Sequence, residues 1–298
     1  MGHPGDAVAS ARFIRWQRQP TSTGKPLLMS DVTYRHFTGN SAENYQRDFL
    51  PAIAIPVSAE LLRTADLRPG ERVLDVGCGT GLVARRAAEP VGDGGSVAGI
   101  DISPEMIAVA RSVPVAGGAP IEWHQGDATA LPLPDGSFDV VLCQMTLMFV
   151  EDRLAALREM HRVLASGGRV LITTPGSIQP PFELMEQALV EHISSDLAGF
   201  VRMVFSMHDP EVHRTLLGDA GFEAVESRIY TAALDLPAPA DFLWQYINLT
   251  PMGPFVANAP EKAKDAMEAQ VTSTWAPHVR AGRTPVEQPM VLASGTRS

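Results

Sequence analysis

The feature that most constrains this chain is a short apolar run, ending in an acid, that leads into three glycines at alternate positions. The run is Val73 to Val76, and the glycines are Gly77, Gly79 and Gly81. A short apolar run without turn residues is typical of a buried parallel strand. The residues from Leu82 to Ala88 favour a helix. Strand, glycine loop and helix together predict a nucleotide-like ligand at the carboxyl edge of an α/β sheet.

Three further segments follow in the order that such a sheet needs. Residues 96–102 predict a second strand, with Asp101 near its end. An acid about 20 residues past a glycine loop is placed to accept hydrogen bonds from both hydroxyls of a ribose. The third segment is 126–128, and the fourth is a strand over 137–144 whose end would face the same cleft.

Four stretches that include these segments and continue to residue 173 resemble the class I S-adenosylmethionine (SAM)-dependent methyltransferases. Within that class, they resemble the ubiquinone/menaquinone-biosynthesis-like small-molecule group. The matching residues are VLDVGCGTG at 73–81, GIDISPEMI at 99–107, GDATALPLPDGSFDVV at 126–141 and EMHRVLASGGRVLIT at 159–173. The resemblance implies SAM as the cofactor and an α/β fold, a Rossmann-like seven-stranded mostly parallel sheet with a helical cap over the strand tips. It says little about the methyl acceptor, because the family methylates many unrelated small molecules.

The resemblance also assigns contacts to the nucleoside part of the cofactor. Asp101 would accept from the ribose hydroxyls, and Ile102 would pack on the adenine. Asp127 would accept from the adenine amino group, while the backbone of Ala128 would contact the ring edge. The alternative for both acids is a turn-forming role, in which each bonds its own backbone after a strand.

A second set of contacts would surround the methionine part. The backbone of Gly77 and Gly79 would approach it, and Gln144 would contribute through its main chain. Tyr45 lies where an aromatic residue often contacts this part, although a helix packed on the sheet explains Tyr45 equally well. Asp75 belongs to the same cofactor site and is expected to orient the glycine loop more than to touch the ligand.

Methyl transfer from a sulfonium is an in-line displacement that depends on alignment and on exclusion of water. It needs neither a catalytic triad nor a metal cluster, and no metal ligands are expected. An oxygen or carbon acceptor can also need a base that removes its proton. His36 and His208 lie in segments that would border the cleft and are the candidates for that base; the alternative for each is an ordinary surface or packing role.

Two other functions fit part of the pattern. A nicotinamide-dependent dehydrogenase has a G-x-G-x-x-G loop and a similar ribose-binding acid, but Leu82 stands where its third glycine would be. A catalytically silent SAM-fold protein that acts as a partner subunit is the other alternative. The presence of both Asp101 and Asp127 argues against it.

Composition restricts the partners. The formal net charge is −10, and the chain has no cluster of five or more Lys and Arg residues, which argues against a nucleic-acid substrate. Cys78 and Cys143 provide neither a disulfide framework nor metal-ligand spacing. No apolar run reaches the length of a membrane span, and no apolar signal core begins the chain. We therefore expect a cytoplasmic monomer or homodimer that acts on a small molecule.

The remaining segments suggest one domain with additions. The expected organisation is a flexible tail over 1–30 and a single methyltransferase domain over 31–298, with helical cap insertions around 31–57, 176–208 and 236–287. The Met- and Phe-rich composition of 176–208 suits a pliable apolar pocket, although core packing explains it nearly as well.

Two details of the sheet can also be predicted. Residues 153–164 predict an amphipathic helix that Gly167 and Gly168 terminate, followed by the fifth strand over 169–173. A long strand is expected over 222–234. The resemblance makes the final strand, 290–294, antiparallel and places it beside the fifth.

Overall fold

The computed structural model describes residues 41–298, so the predicted tail 1–30 and the candidate base His36 lie outside the described residues. The strands are β1 (Arg72–Val76), β2 (Ser96–Asp101), β3 (Ile121–Gln125), β4 (Phe138–Gln144), β5 (Leu164–Pro175), β6 (Glu223–Leu236) and β7 (Thr284–Thr296). The α-helices are α1 (Ser41–Asn44), α2 (Ile55–Ala65), α3 (Leu82–Val91), α4 (Pro104–Ser112), α5 (Arg153–Val163), α6 (Pro180–His192), α7 (Ala198–Val204), α8 (Pro210–Asp219), α9 (Pro239–Asn248), α10 (Gly253–Ala257) and α11 (Glu261–Trp275). A π-helix, Tyr45–Ala54, connects α1 to α2.

The seven strands form one sheet in the order β3-β2-β1-β4-β5-β7-β6. The first five strands are parallel, and β7 runs antiparallel to both β5 and β6. This arrangement confirms the predicted mostly parallel sheet and the antiparallel last strand beside the fifth. The strand order reverses between β1 and β4, and such a switch point leaves a crevice at the carboxyl ends of the strands.

The junction of α5 and β5 differs from the prediction. The helix ends at Val163, and β5 begins at Leu164, so Gly167 and Gly168 lie inside the strand and do not follow the helix. Leu164 pairs with Phe138 before the register shifts between Phe138 and Val140. Gly167 takes the left-handed conformation that this irregularity requires, with φ +78°.

The hydrophobic core continues from the sheet into the helices after β5 and β6. One cluster joins Leu157 of α5 and Ile172 of β5 to Phe182 of α6, Phe242 of α9 and Trp275 of α11. These helices therefore pack on the same core as the sheet and do not form a separate unit. In the part of the chain that the structure describes, no helix is long and apolar enough to cross a membrane.

Candidate active site

A cavity of about 900 Å³ lies at the carboxyl ends of β1, β2 and β4, where the strand order reverses. It has a polar end beside the glycine loop and an apolar end beneath the helices. Most of the predicted cofactor contacts line it: Tyr45, Gly77, Gly79, Asp101, Ile102, Asp127, Ala128 and Gln144. The crossover of the sheet thus brings together residues that are up to 99 positions apart in the sequence.

The glycine loop forms the floor of the polar end. The backbone nitrogens of Gly77 and Cys78 both donate to the carbonyl of Ile100, at 2.8 and 3.0 Å, and this ties the loop to the end of β2. Gly77 and Gly79 have φ of +68° and +53°, which residues with a Cβ rarely adopt. A Cβ on Gly77 would lie 2.2 Å from Cγ2 of Thr146, so this position has no room for a side chain.

Asp101 links the glycine loop to the end of β2. One carboxylate oxygen accepts from the backbone nitrogen of Gly79 at 2.8 Å, and the other accepts from that of Ser103 at 2.9 Å. Burial raises the pKa of Asp101, although these backbone donors oppose the shift. The bond to Ser103 is the local turn contact expected of a turn-forming acid, whereas the bond to Gly79 crosses 22 positions. Asp101 therefore both shapes the loop and lines the cavity.

Asp127 makes the turn contacts that its alternative interpretation predicted. A single carboxylate oxygen, Oδ1, accepts from the backbone nitrogen of Thr129 at 2.9 Å and from its hydroxyl at 2.8 Å. Asp127 nevertheless lines the cavity together with Ala128 and Thr129. A turn role and a ligand role are compatible here, because the turn positions the carboxylate at the cavity wall.

Tyr45 covers the glycine loop from the π-helix. Its ring stacks on Phe49 at a centroid distance of 4.8 Å, and a Cβ on Gly79 would lie 3.5 Å from it, which is ordinary contact. Burial, followed by the charge of Asp101, raises the pKa of Tyr45, so its hydroxyl stays protonated at neutral pH. Pro51 cannot donate a backbone hydrogen bond within this helix, which is consistent with the wider π-helical turn.

The tip of β4 closes the cavity on the other side. Gln144 donates its side-chain amide to the carbonyl of Ala54 at 3.2 Å, and so connects the strand to the π-helix. Met145 has φ +50°, an unusual conformation for a residue with a long side chain. The hydroxyl of Thr146 lies 3.2 Å from the carbonyl of Gly77 and 3.0 Å from that of Gln144. Met145 and Thr146 match no cofactor motif, so they were not predicted as cavity residues.

Asp75 is the one predicted cofactor residue of the described part that does not line the cavity. It is buried beneath the glycine loop, where its carboxylate accepts from the backbone nitrogen of Ala84 at 3.0 Å. This bond anchors the first turn of α3, which agrees with the expectation that Asp75 orients the loop. Burial raises the pKa of Asp75 to about 7, with a smaller contribution from Asp101.

The replacement Asp75→Asn is expected to raise the melting temperature of the ligand-free protein at pH 8 by several degrees. An unfolded aspartate releases its proton near pH 4, whereas folded Asp75 retains its proton up to about pH 7. The folded state binds more protons in that interval, so stability falls as pH rises through it. An asparagine side-chain oxygen still accepts from Ala84 but carries no buried charge.

Thermal unfolding of both proteins from pH 4 to 8 measures this effect. The two curves should lie close together at the acid end and separate as pH rises towards 8. Parallel curves across the whole range would contradict a buried, titrating Asp75.

His208 is not positioned as the predicted base. It is exposed, does not line the cavity, and its Nδ1 lies 3.0 Å from the carbonyl of Phe205. The turn after α7 directs it to the surface, while Phe205 faces the cavity. His208 thus has the surface role that was its alternative, and His36 lies outside the described residues.

The apolar end of the cavity is built by residues from distant helices and from β7. Its aromatic and aliphatic wall includes Phe49, Ile53, Met148, Phe182, Phe200, Met203, Val204, Phe205, Tyr246, Leu249 and Met290. Other apolar residues of the predicted pocket segment, such as Met185 and Met207, lie in the core instead. The segment 176–208 therefore supplies both a pocket wall and core packing. No local pattern marks Tyr246, Leu249 or Met290 as pocket residues, so they were not predicted from the sequence.

The charged side chains on the described part of the cavity wall are all acidic. Four acids line it, namely Asp101, Asp127, Glu151 and Asp152. The lining residues of the described part include no Lys, Arg or His. A wall of this kind favours a cationic ligand at its polar end and disfavours an anion.

Comparisons with known proteins identify relatives of this chain. A methyltransferase-domain family model matches residues 74–172. The ubiquinone/menaquinone biosynthesis C-methyltransferase UbiE of Stenotrophomonas maltophilia is 32% identical over 185 residues, which are 57% of this chain and 73% of that protein. Nocamycin O-methyltransferase of Saccharothrix syringae is 42% identical over 135 residues, which are 45% of this chain and 47% of that protein. The chain thus spans about half the length of the Saccharothrix relative.

A solved structure shares the fold. It is that of the Haemonchus contortus phosphoethanolamine N-methyltransferase 2 in complex with phosphomonomethylethanolamine and S-adenosylhomocysteine. The TM-score is 0.53 at 19% sequence identity, and the match covers 88% of this chain and 58% of that chain. The names of these three proteins specify carbon, oxygen and nitrogen acceptors respectively.

Proposed function

This chain belongs to the class I SAM-dependent methyltransferases, and on that premise we propose that it transfers a methyl group from SAM to an uncharged, largely apolar small molecule. The observation that supports this proposal is the composition of the cavity. A polar, acidic end with glycine backbone adjoins an apolar end, and the volume of about 900 Å³ is at the upper end of the range for small-molecule sites.

The polar end fits the cofactor. Gly77 leaves bare backbone where a Cβ would collide with Thr146, and the acidic wall suits a positively charged sulfonium. We assign Asp101 to the ribose hydroxyls and Asp127 to the adenine amino group, with Ile102 packing on the adenine and Ala128 contacting the ring edge.

At the methionine part, we assign the backbone of Gly77 and Gly79, the ring of Tyr45 and the main chain of Gln144. When bound, SAM supplies a methyl group that is already activated by the positive sulfur. The residues of this chain therefore have two tasks, which are to align the acceptor with that methyl group and to exclude water.

The apolar end performs the second task. Side chains such as Phe200 and Phe205 replace water around the acceptor, which strengthens charge interactions at the reacting atoms. With no basic side chain among the described lining residues, a phosphate ester would have no cation to pair with. An uncharged acceptor therefore suits this chain better than the phosphate ester in the Haemonchus complex.

Thermal unfolding with SAM, S-adenosylhomocysteine or NAD tests the cofactor. A ligand at 100 times its Kd stabilises the fold by about 2.7 kcal/mol, so SAM and S-adenosylhomocysteine should raise the melting temperature. NAD should leave it unchanged. Stabilisation by NAD alone would favour the dehydrogenase alternative.

Incubation with methyl-labelled SAM and a panel of uncharged aromatic alcohols and quinones, with phosphoethanolamine as the anionic comparison, tests the acceptor. We expect labelled product and S-adenosylhomocysteine by mass spectrometry from members of the uncharged set. Turnover confined to phosphoethanolamine would contradict the proposed acceptor class. Cofactor binding without turnover of any compound would instead favour the silent partner subunit.

A further inference from the structure

An aromatic cluster covers the apolar end of the cavity. The ring of Phe242 lies 5.6 Å from that of Tyr246, 5.7 Å from that of Trp275 and 6.1 Å from that of Phe182. Phe200 lies 6.4 Å from Tyr246 in an edge-to-face arrangement. Centroid distances of this size are those of favourable aromatic pairs, so the cluster holds each ring in a defined place.

Tyr246 is the unusual member of this cluster, because it carries a polar group. Its side chain lines the cavity, and the residue is only 5% exposed. Buried tyrosine hydroxyls usually have a hydrogen-bond partner. The hydroxyl of Tyr246 has none among the described residues.

Tyr230 shows the usual arrangement in the same chain. It is largely buried on β6, and its hydroxyl donates to the carbonyl of Val57 at 3.2 Å. Tyr230 does not line the cavity. The two hydroxyls thus differ in their surroundings. The hydroxyl of Tyr230 has a hydrogen-bond partner in the protein, whereas Tyr246 lines the cavity.

The chemistry of the Tyr246 hydroxyl is that of a neutral donor. Burial raises its pKa, and no charged neighbour contributes to the shift. The hydroxyl therefore stays protonated at neutral pH and is unsuited to act as a base. The hydroxyl can instead donate a hydrogen bond to an oxygen or nitrogen atom that enters the apolar end of the cavity.

We propose that Tyr246 is the polar anchor of the acceptor site, and that the methyl acceptor combines an apolar or aromatic body with an uncharged oxygen that accepts a hydrogen bond from the Tyr246 hydroxyl. This inference rests on the proposed function, since it places the acceptor in the apolar end of the cavity, beside the SAM site. The oxygen is a carbonyl or hydroxyl oxygen, because the acidic wall disfavours a carboxylate or phosphate.

An anchor of this kind selects among ligands. An otherwise similar ligand without the oxygen would leave the Tyr246 hydroxyl buried and unpaired, which disfavours that ligand. The aromatic cluster contacts the body of both ligands, but only the oxygen-bearing ligand has to desolvate a polar group. The contribution of the hydroxyl is therefore measured by the change in discrimination when the hydroxyl alone is removed.

Equilibrium dialysis with two probes tests the inference, in the presence of saturating S-adenosylhomocysteine. The probes are 2-acetonaphthone, which carries a carbonyl, and 2-ethylnaphthalene, which has a similar body and no oxygen. We expect Tyr246→Phe to weaken the binding of 2-acetonaphthone relative to that of 2-ethylnaphthalene about fivefold to tenfold compared with the wild-type ratio. The matched control Tyr230→Phe should keep the wild-type ratio of the two affinities.

Thermal unfolding adds a readout that a structural role would change. Tyr246→Phe should melt no lower than wild type, because the lost hydroxyl has no partner, whereas Tyr230→Phe should melt lower. A wild-type ratio of the two affinities that is retained in Tyr246→Phe, or failure of both probes to bind, would overturn the inference. Failure of the proposed function is a separate result, namely that S-adenosylhomocysteine does not bind.

Discussion

Replacing Asp101 with alanine is expected to weaken SAM binding roughly 100-fold. A hydrogen bond to a charged group contributes about 1.5 to 3 kcal/mol, and the proposed role gives Asp101 two such bonds to the ribose. The replacement also removes the acceptor for Gly79, so the loop that approaches the methionine part loses one of its links to the end of β2. Isothermal titration of the purified variant with SAM measures the change.

Asp139→Ala is the matched control for this experiment. Asp139 lies at the start of β4, away from the cavity, and pairs with Arg72 at 2.6 Å. Its loss should lower stability and leave the Kd for SAM near the wild-type value. An affinity in Asp101→Ala that equals that of the control would contradict the assignment of Asp101 to the cofactor.

The affinity for SAM should also depend on pH through Asp101. A cationic, hydroxyl-donating ligand prefers the ionised carboxylate, so affinity is highest above the pKa of Asp101 and falls below it. Burial raises this pKa, which moves the loss of affinity to a higher pH than an ordinary aspartate would show. In Asp101→Asn, the fall in SAM affinity that protonation of Asp101 causes should be absent.

Replacing Gly77 with alanine is expected to lower the free energy of unfolding by about 3 kcal/mol and to abolish tight SAM binding. A left-handed φ disfavours alanine by about 1 kcal/mol. The overlap with Thr146 adds a penalty of about 1 to 3 kcal/mol, because the threonine lies against two carbonyls. Relief of this overlap displaces the loop or Thr146 at the cavity wall. Urea unfolding and SAM titration measure the two effects.

Gly282→Ala separates backbone strain from collision. Gly282 also has a positive φ, +78°, but a Cβ there has no atom within 4 Å, and the residue does not line the cavity. This variant should lose only about 1 kcal/mol of the free energy of unfolding and keep its affinity for SAM. A second replacement, Thr146→Gly, should restore part of the stability of Gly77→Ala. Equal losses in the two single variants would show that the collision has no effect.

The cofactor half of this site is encoded locally. A short apolar strand, a glycine loop and an acid at the end of the next strand predict a nucleotide-like ligand at the sheet edge, because each depends on a few adjacent residues, and the family resemblance implies SAM. Asp101 and Gly77 were identified on that basis, and both line the cavity. The turn-forming alternative for Asp127 was also visible in the sequence, and Asp127 makes the turn contacts at the cavity wall.

The cavity residues that match no motif were decided only by tertiary structure. Tyr246 and Thr146 follow no motif, and they reach the cavity because long-range packing of α9 and of the β4 tip places them there. His208 was a candidate for the base on its position in the chain, yet the turn after α7 directs it to the surface. Local spacing determines turns and strand ends. Which side chains meet in an apolar chamber depends on how distant helices pack, and the residues themselves carry no periodic sign of it.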